Sequence, residues 1–568
     1  MEFRAQWPSV VALSVMLVAG GIGPGISGGP PEARAQVELE PRRGGKVRRA
    51  WPRKRRARKP RQRLGRWLAR QVGAVRAPRA ARRTIGPLMM SRRSELLVYA
   101  PVATPKPLRL VRSFEIPGDD PDYDRLTNFS WTYDSALAAM AFTLSGDKQQ
   151  TDQLLSQLAA LQRTDGAIEY VYNTQTGEFV PLHRAGTMSL VGLAAAQYRK
   201  SYGSPRYDPM AVLTATWLLA RQELDPTRAG FGLLYGGPDV DWMSTQHNIL
   251  AYFFLRGFER VAVEEDDGIV PIFECVSEDD AGGLHAVFGY ENRNAFQMMV
   301  SHSSRNQLSP TPVDGPQPTT FEPGRHQHVF SVPFPPANEG NVVWHLTSKK
   351  DAGRRRGPAC GDDVVVGAPP PGPPLSALTD AAELIAQGIE RVLLVDDWQG
   401  LHFVQGLDDP VLPVDAQALG ILFLLDRGNE TGAIAVGDYL LRHYLAVDRS
   451  VLLSFDSATY NMSYEALGPF IGFRPYADLG APDTVWMEGT GEARFAIAVL
   501  GDTTAALDTS VERWRQVTHA DRDGLLGSNR TVFDPDFNEY HVWPTSAATS
   551  WYLLSHADPA ELLFTTRP

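Results

Sequence analysis

GGPDVDWMSTQHNILAYFFLRG, residues 236–257, decides how this chain folds. It opens as a turn-forming loop, passes through Ser244, Thr245, Gln246, His247 and Asn248, and ends as an apolar run with no charge before Arg256. A helix that is apolar around its whole circumference is buried on all sides. The polar residues at its start are therefore presented at one end of a buried element.

Five other segments open on polar or small residues and turn apolar in the same way. They are YDSALAAMAFTLSGD from Tyr133, GTMSLVGLAAAQYRKSYG from Gly186, DAQALGILFLLDRGNE from Asp415, EGTGEARFAIAVLGD from Glu488 and TSAATSWYLLSH from Thr545. Amphipathic partners such as QQTDQLLSQLAALQR (149–163) and DPMAVLTATWLLARQEL (208–224) lie between them. The starts at 133, 186, 246, 415, 488 and 545 are separated by 53, 60, 169, 73 and 57 residues, a period that suits one helical hairpin per repeat.

The long gap holds a different pattern. From Asp267 to about Ala368, short β-type runs (VPIFECV, LHAVFGYEN, FQMMVSH, HVFSVPF, NVVWHLT, DDVVVGA) alternate with Asp, Asn, Gly and Pro clusters, and APPPGPP (368–374) reads as a stiff linker. Removing these 108 residues reduces the 169-residue gap to 61, in line with the others. The expected fold is mainly α, an (α/α)6 toroid of six inner and six outer helices interrupted by an immunoglobulin-like β-sandwich. The toroid would occupy 95–266 and 375–568 and the sandwich 267–367, with Phe330 and Trp344 in its core.

The ends and the charge set further bounds. Val10 to Gly21 is an apolar run of about a dozen residues, too short to span a bilayer comfortably, and Ala33-Arg34-Ala35 offers a small-x-small cleavage site. Residues 1–35 are expected to be a signal peptide, and the protein to be secreted, periplasmic or displayed at the cell surface. From Arg42 to Arg93 there are 21 Lys or Arg and no Asp or Glu, so 36–94 is expected to be a disordered basic segment able to associate with an anionic surface. The alternative is a start near Met90. From Glu95 onward 33 basic residues face 61 acidic ones, a net charge of −28 that argues against nucleic acid as a partner. Cys275 and Cys360 allow one disulfide, whose formation the sequence leaves open, and exclude a cysteine-built zinc site. Neither a P-loop nor an H-E-x-x-H motif occurs. The GPGISG match (23–28) lies in the signal segment without a preceding strand, and DRDGLLGSN (521–529) lacks a calcium loop's terminal Glu. No metal and no cofactor are expected.

The hairpin count, the connections LLYGGPD and HFVQGLD, and the openings YDSALA, STQHN and WMEGTGEAR resemble the six-hairpin glycosidase superfamily over 100–266 and 375–562. In a toroid the inner-helix N-termini converge on one mouth. That mouth would collect Trp131, Tyr133, Asp134, Arg184, Asp239, Asp241, Trp242, Gln246, His247, Asp415, Gln417, Tyr476, Asp478, Trp486, Glu488 and Trp543. Aromatic faces beside carboxylates suit a sugar. The resemblance implies an exported glycoside hydrolase acting on an oligo- or polysaccharide, inverting, with a carboxyl pair as acid and base. Glu488, at the start of an apolar helix, is the first choice for the acid. Asp239, in a GGPD turn, is preferred for the base, ahead of Asp134 and Asp241. A polysaccharide lyase and a non-catalytic glycan-binding surface protein are the competing readings.

Overall fold

The computed structural model describes residues 58–73, 107–262, 268–361, 376–448, 454–456, 461–463, 470–477, 483–501, 504, 507–508, 524–533 and 539–564, apart from a few short interruptions within those spans. The expected signal segment, the proline-rich linker, Asp478 and the first three residues of DRDGLLGSN lie outside the described residues.

In chain order the longer helices are α1 (Arg58–Gln71), α2 (Thr132–Ser145), α3 (Lys148–Leu161), α4 (Ala185–Tyr202), α5 (Asp208–Leu219), α6 (Thr245–Ala262), α7 (Ser376–Val392), α8 (Val414–Asp426), α9 (Glu430–Tyr444), α10 (Met487–Leu500) and α11 (Ser546–Leu554). Helices α2, α4, α6, α8, α10 and α11 form a closed ring, because each packs on the next and α11 packs back on α2. They start at 132, 185, 245, 414, 487 and 546, each one residue from the position read off the sequence. Helices α3, α5, α7 and α9 lie outside, each against the inner helix before it.

Composition explains the two layers. From Asp134 to Thr143 every residue of α2 is buried, whereas α3 buries only Thr151, Leu154, Leu155 and Leu158 along one stripe. Ends are set locally. Asp147 caps α3 through Gln150 N–H, Asn429 caps α9 through Gly432 N–H, and Thr545 caps α11 through Ala548 N–H. Gly146 ends α2 with a φ of 78°, a left-handed conformation that favours glycine.

Helix α1 corrects the expectation of a uniformly disordered basic segment. Within RKPRQRLGRWLARQ, Leu64, Trp67 and Leu68 fall at i, i+3 and i+4, and all three are fully buried. The helix takes an outer place against α11 and α2. Trp67 Nε1 donates to Glu115 Oε2 at 2.7 Å, Arg112 bonds Gln71, and Val72 bridges Val111. A chain starting at Met90 would lack this helix.

Between α6 and α7 the chain forms antiparallel sheets. Strands β1 (Ile269–Glu278), β2 (Leu284–Asn292) and β4 (Gly324–Pro333) pair in the order β1-β2-β4, while β3 (Asn306–Ser309), β5 (Val342–Leu346) and β6 (Lys349–Gly353) pair in the order β6-β5-β3. Residues of both sheets, among them Phe288, Phe330, Leu308 and Trp344, share one apolar cluster. A disulfide joins Cys275 to Cys360 and ties the two ends of the β unit together. Among the described residues no helix is long and apolar enough to cross a membrane.

Candidate active site

The first turns of the ring helices carry buried polar side chains, Asp134 on α2, Thr187 on α4, Gln246 and His247 on α6, Asp415 on α8 and Glu488 on α10, and the second turn of α11 carries Ser550. Buried polar groups in proteins nearly always have partners. Here Thr187 Oγ1, Gln246 Nε2, both ring nitrogens of His247, Asp415 Oδ2, Glu488 Oε1, both Glu492 oxygens and Ser550 Oγ have no partner within the protein. Such groups at one end of a closed ring mark the candidate binding site.

Its floor is a carboxyl cluster. Burial pushes the Asp134 carboxyl up to about 7, against a hydrogen bond from Ser113. Asp415 is raised by burial against its backbone hydrogen bonds. Glu488 is raised well above the usual range by burial first, then by the charges of Asp134 and Asp415, while Tyr133 opposes the shift. Glu492 is raised by burial, Asp415 and Glu488. Three of these carboxyls come from different ring helices, α2, α8 and α10, and Glu488 feels the charges of both Asp134 and Asp415. They therefore converge toward the ring axis. The Tyr133 phenol, whose oxygen accepts from Trp551 Nε1 at 3.2 Å, is kept neutral by burial and by Glu488 and Glu492.

A second group lies at the α4 and α6 openings. Arg184 Nη1 and Nη2 donate to Asp239 Oδ1 and Oδ2 at 2.7 and 3.3 Å, and its guanidinium lies 5.7 Å from the Trp242 ring. Partial burial raises Asp239, but the hydrogen bonds and charge of Arg184 outweigh it and bring the carboxyl below its ordinary range. His247 packs 5.2 Å from Trp242 and directly over Gly186, where any Cβ would lie 2.3 Å from the imidazole. Burial, then Arg184, lowers His247 to about 3, so it is a neutral imidazole.

Other expected positions take different roles. Gln417 is not available to a ligand: its Oε1 accepts from Phe403 N–H and its Nε2 donates to Phe403 O and Pro413 O, pinning the loop before α8. Trp543 donates Nε1 to Asp120 Oδ2 at 3.0 Å and stacks on His541 at 3.8 Å, which makes it part of an aromatic satellite core with Phe114, Phe129 and, at its edge, Trp131. Trp486 and Tyr476 are buried in the main core. Asp241 is exposed on the loop before α6.

Two residues were not singled out from sequence. Glu492 follows Glu488 by one helical turn, a spacing that places both carboxyls on one face, and the intervening Gly489 and Gly491 let Trp486 and Trp551 close in beside them. Tyr170 is buried, and its phenol is raised by burial against Arg184, then raised further by Asp134 and Glu488. It stands between the two groups. Among the described residues no set of three His, Cys, Asp or Glu is placed to hold a metal ion.

No family model matches the sequence, and no curated protein matches it. Solved structures do. A glycosidase variant in complex with glucose aligns with a TM-score of 0.41 and 11% identity over 80% of this chain and 92% of that one. A bacterial glucoamylase complexed with acarbose gives 0.40 and 9% over 78% and 50%. A D-mannose isomerase gives 0.37 and 8% over 78% and 90%. Likeness at this level assigns neither family nor activity.

Proposed function

We propose that this protein is an exported glycoside hydrolase that cleaves a glycosidic bond of an oligo- or polysaccharide with inversion. The observation that carries the reading is the convergence of Asp134, Asp415 and Glu488 from three ring helices, in surroundings that hold protons on carboxyls near neutral pH. Hydrolysis with inversion uses a protonated carboxyl at the leaving oxygen and an ionised one that activates water, about 6.5–9.5 Å apart.

Glu488 is the acid. It has the stronger pull on its proton, and ionising Asp134 strengthens that pull further. Asp134 then loses its proton first and serves as the base. Asp134 and Glu488 stand on α2 and α10, which α11 separates in the ring, so they approach a bound sugar from two different helices. Asp239, preferred for the base on sequence, has both oxygens bonded to Arg184, which weakens it as a proton acceptor. We assign Asp239 and Arg184 to holding the substrate, together with Trp242 and His247.

Export is supported by the apolar segment followed by Ala33-Arg34-Ala35 and by the Cys275–Cys360 disulfide, a bond typical of oxidising compartments. The two sheets between α6 and α7 are read as an immunoglobulin-like sandwich. Basic residues outside α1 are assigned to contact with an anionic cell surface.

Reducing-end release should be measured on a panel of glycans, using protein that retains α1, beside Glu488→Gln. Turnover by the parent with a loss of about a hundredfold or more in the variant supports acid catalysis. Undiminished turnover removes Glu488 from the role. Unsaturated products absorbing in the ultraviolet would show a lyase, and binding without turnover a non-catalytic glycan receptor.

A further inference from the structure

The cavity carries a charge pattern that deepens the reading above, on which this inference rests. Four carboxyls lie in it: Asp134, Asp415, Glu488 and Glu492. Among the described residues the groups that act on them are one another, Tyr133, Ser113 and nearby backbone, with no cation. Two basic groups border this space: His183, whose charge is felt by Asp239 and which pairs with Glu169 Oε2 at 2.9 Å, and Arg184, whose charge is felt by Tyr170 alongside Asp134 and Glu488, and by His247.

The Arg184 cation is already answered. Both terminal nitrogens of Arg184 are engaged by the two oxygens of Asp239, and Nη1 also donates to His183 O at 2.8 Å. The Arg184 side chain is 9% exposed while that of Asp239 is 50% exposed, so an approaching ligand meets the carboxylate before the guanidinium. The remaining groups without a protein partner near this pair are uncharged: Thr187 Oγ1, Gln246 Nε2, Trp242 Nε1 and the two nitrogens of neutral His247. Donors and acceptors of that kind match sugar hydroxyls. A ligand carboxylate would find acceptor oxygens and like charge, and a charge without a partner is costly to bury.

We infer that this cavity selects uncharged glycans over uronates, and that Asp239 sets the selectivity by neutralising Arg184. Asp239 is then a specificity residue rather than a base. Removing its charge frees a guanidinium whose fork fits a carboxylate.

The test is calorimetric binding to the full-length protein carrying Glu488→Gln, which stops turnover, with paired probes. Each neutral trisaccharide (cellotriose, maltotriose, mannotriose) is set against its counterpart oxidised to the carboxylate at C6. At least one neutral member should bind at least tenfold more tightly than its oxidised partner. Adding Asp239→Asn should narrow or reverse that ratio by about tenfold, and further adding Arg184→Gln should cancel the change. Equal or tighter binding of the oxidised member by the Glu488→Gln protein overturns the inference, as does an unchanged ratio in Asp239→Asn protein of unaltered melting temperature. Absence of binding by every probe overturns it too. If Asp239→Asn does not fold, the probe-pair ratio on the Glu488→Gln protein decides. Neutral trisaccharides that bind but are not cleaved by the parent protein would support this selectivity while removing the hydrolase reading, so the two fail separately.

Discussion

The β unit and the mouth of the helical ring both bury polar side chains, with outcomes that differ in degree, since in the β unit Asn294 Nδ2 also lacks a partner among the described residues. In the β unit Asn306 is fully used: its Oδ1 accepts from Trp344 Nε1 at 3.0 Å and its Nδ2 donates to Val300 O and Pro318 O at 2.8 Å each. Asn292 likewise bonds Phe321 O and Asn294 N–H. At the ring mouth, Thr187, Gln246, His247, Asp415, Glu488 and Glu492 keep atoms that no protein group answers. A polar residue spent on its own fold fixes structure, and one left over is kept for something else. The comparison puts the denser set of unanswered polar groups at the ring mouth.

Substitutions can break this contrast. The largest effect belongs to Glu488→Gln, with a fall in kcat of about a hundredfold or more and an unchanged or raised melting temperature, because a buried carboxyl is replaced by a neutral amide. A melting temperature lowered by many degrees with activity kept would show that Glu488 is spent on the fold after all. Next comes Trp344→Ala, which empties a fully buried indole site and orphans Asn306 Oδ1. It should cost about 3–5 kcal/mol of stability in a chemical-denaturation transition of the β unit, with kcat on short substrates unaltered.

The pH dependence of stability sharpens the comparison further. Asp134 has a folded value raised to about 7, well above that of an unfolded chain, so its proton is held more tightly in the folded state. Stability from this group is full below about pH 4 and is lost as pH rises toward 7, by up to about 1.4 kcal/mol per pH unit. Melting temperatures measured from pH 4 to 8 should fall more steeply for the parent than for Asp134→Asn. Parallel curves would remove Asp134 from the buried cluster. The smallest effect is that of Thr545→Ala, which deletes the cap of α11 and should cost about 1 kcal/mol with no change in pH profile.

Much of the ring was legible because its helices break the usual rule. A helix apolar on every face has one place to be, inside another layer, and the polar opening before each apolar run marked the start to within one residue. The same signal pointed to Asp134, Asp415 and Glu488, which are buried in the first turns of their helices. Glu492 was not, since a glutamate inside a helix reads as a solvated face unless its neighbours are known to be buried. Gln417 misled for the converse reason: its position matched the pattern, but its amide answers the backbone of Phe403 and Pro413 from a neighbouring loop. Helix α1 was hidden by composition, because 21 basic residues in the surrounding segment drowned an apolar stripe of three. Asp239 was found as a carboxylate in a turn, yet its partner Arg184 lies 55 residues away, a distance no local pattern reports.

The ring is sealed by contacts between the two ends of the sequence. Ser546 Oγ donates to Arg112 O across 434 positions, Trp543 Nε1 to Asp120 across 423, and Ser546 N–H to Ser113 O. Ser113 also bonds Asp134, so a member of the acid cluster is braced by the seam itself. During synthesis, then, a ribosome must release the α11 segment before the pocket exists. A nascent chain that has emerged only as far as Glu492 already carries all four carboxyls and lacks the helix that closes the ring.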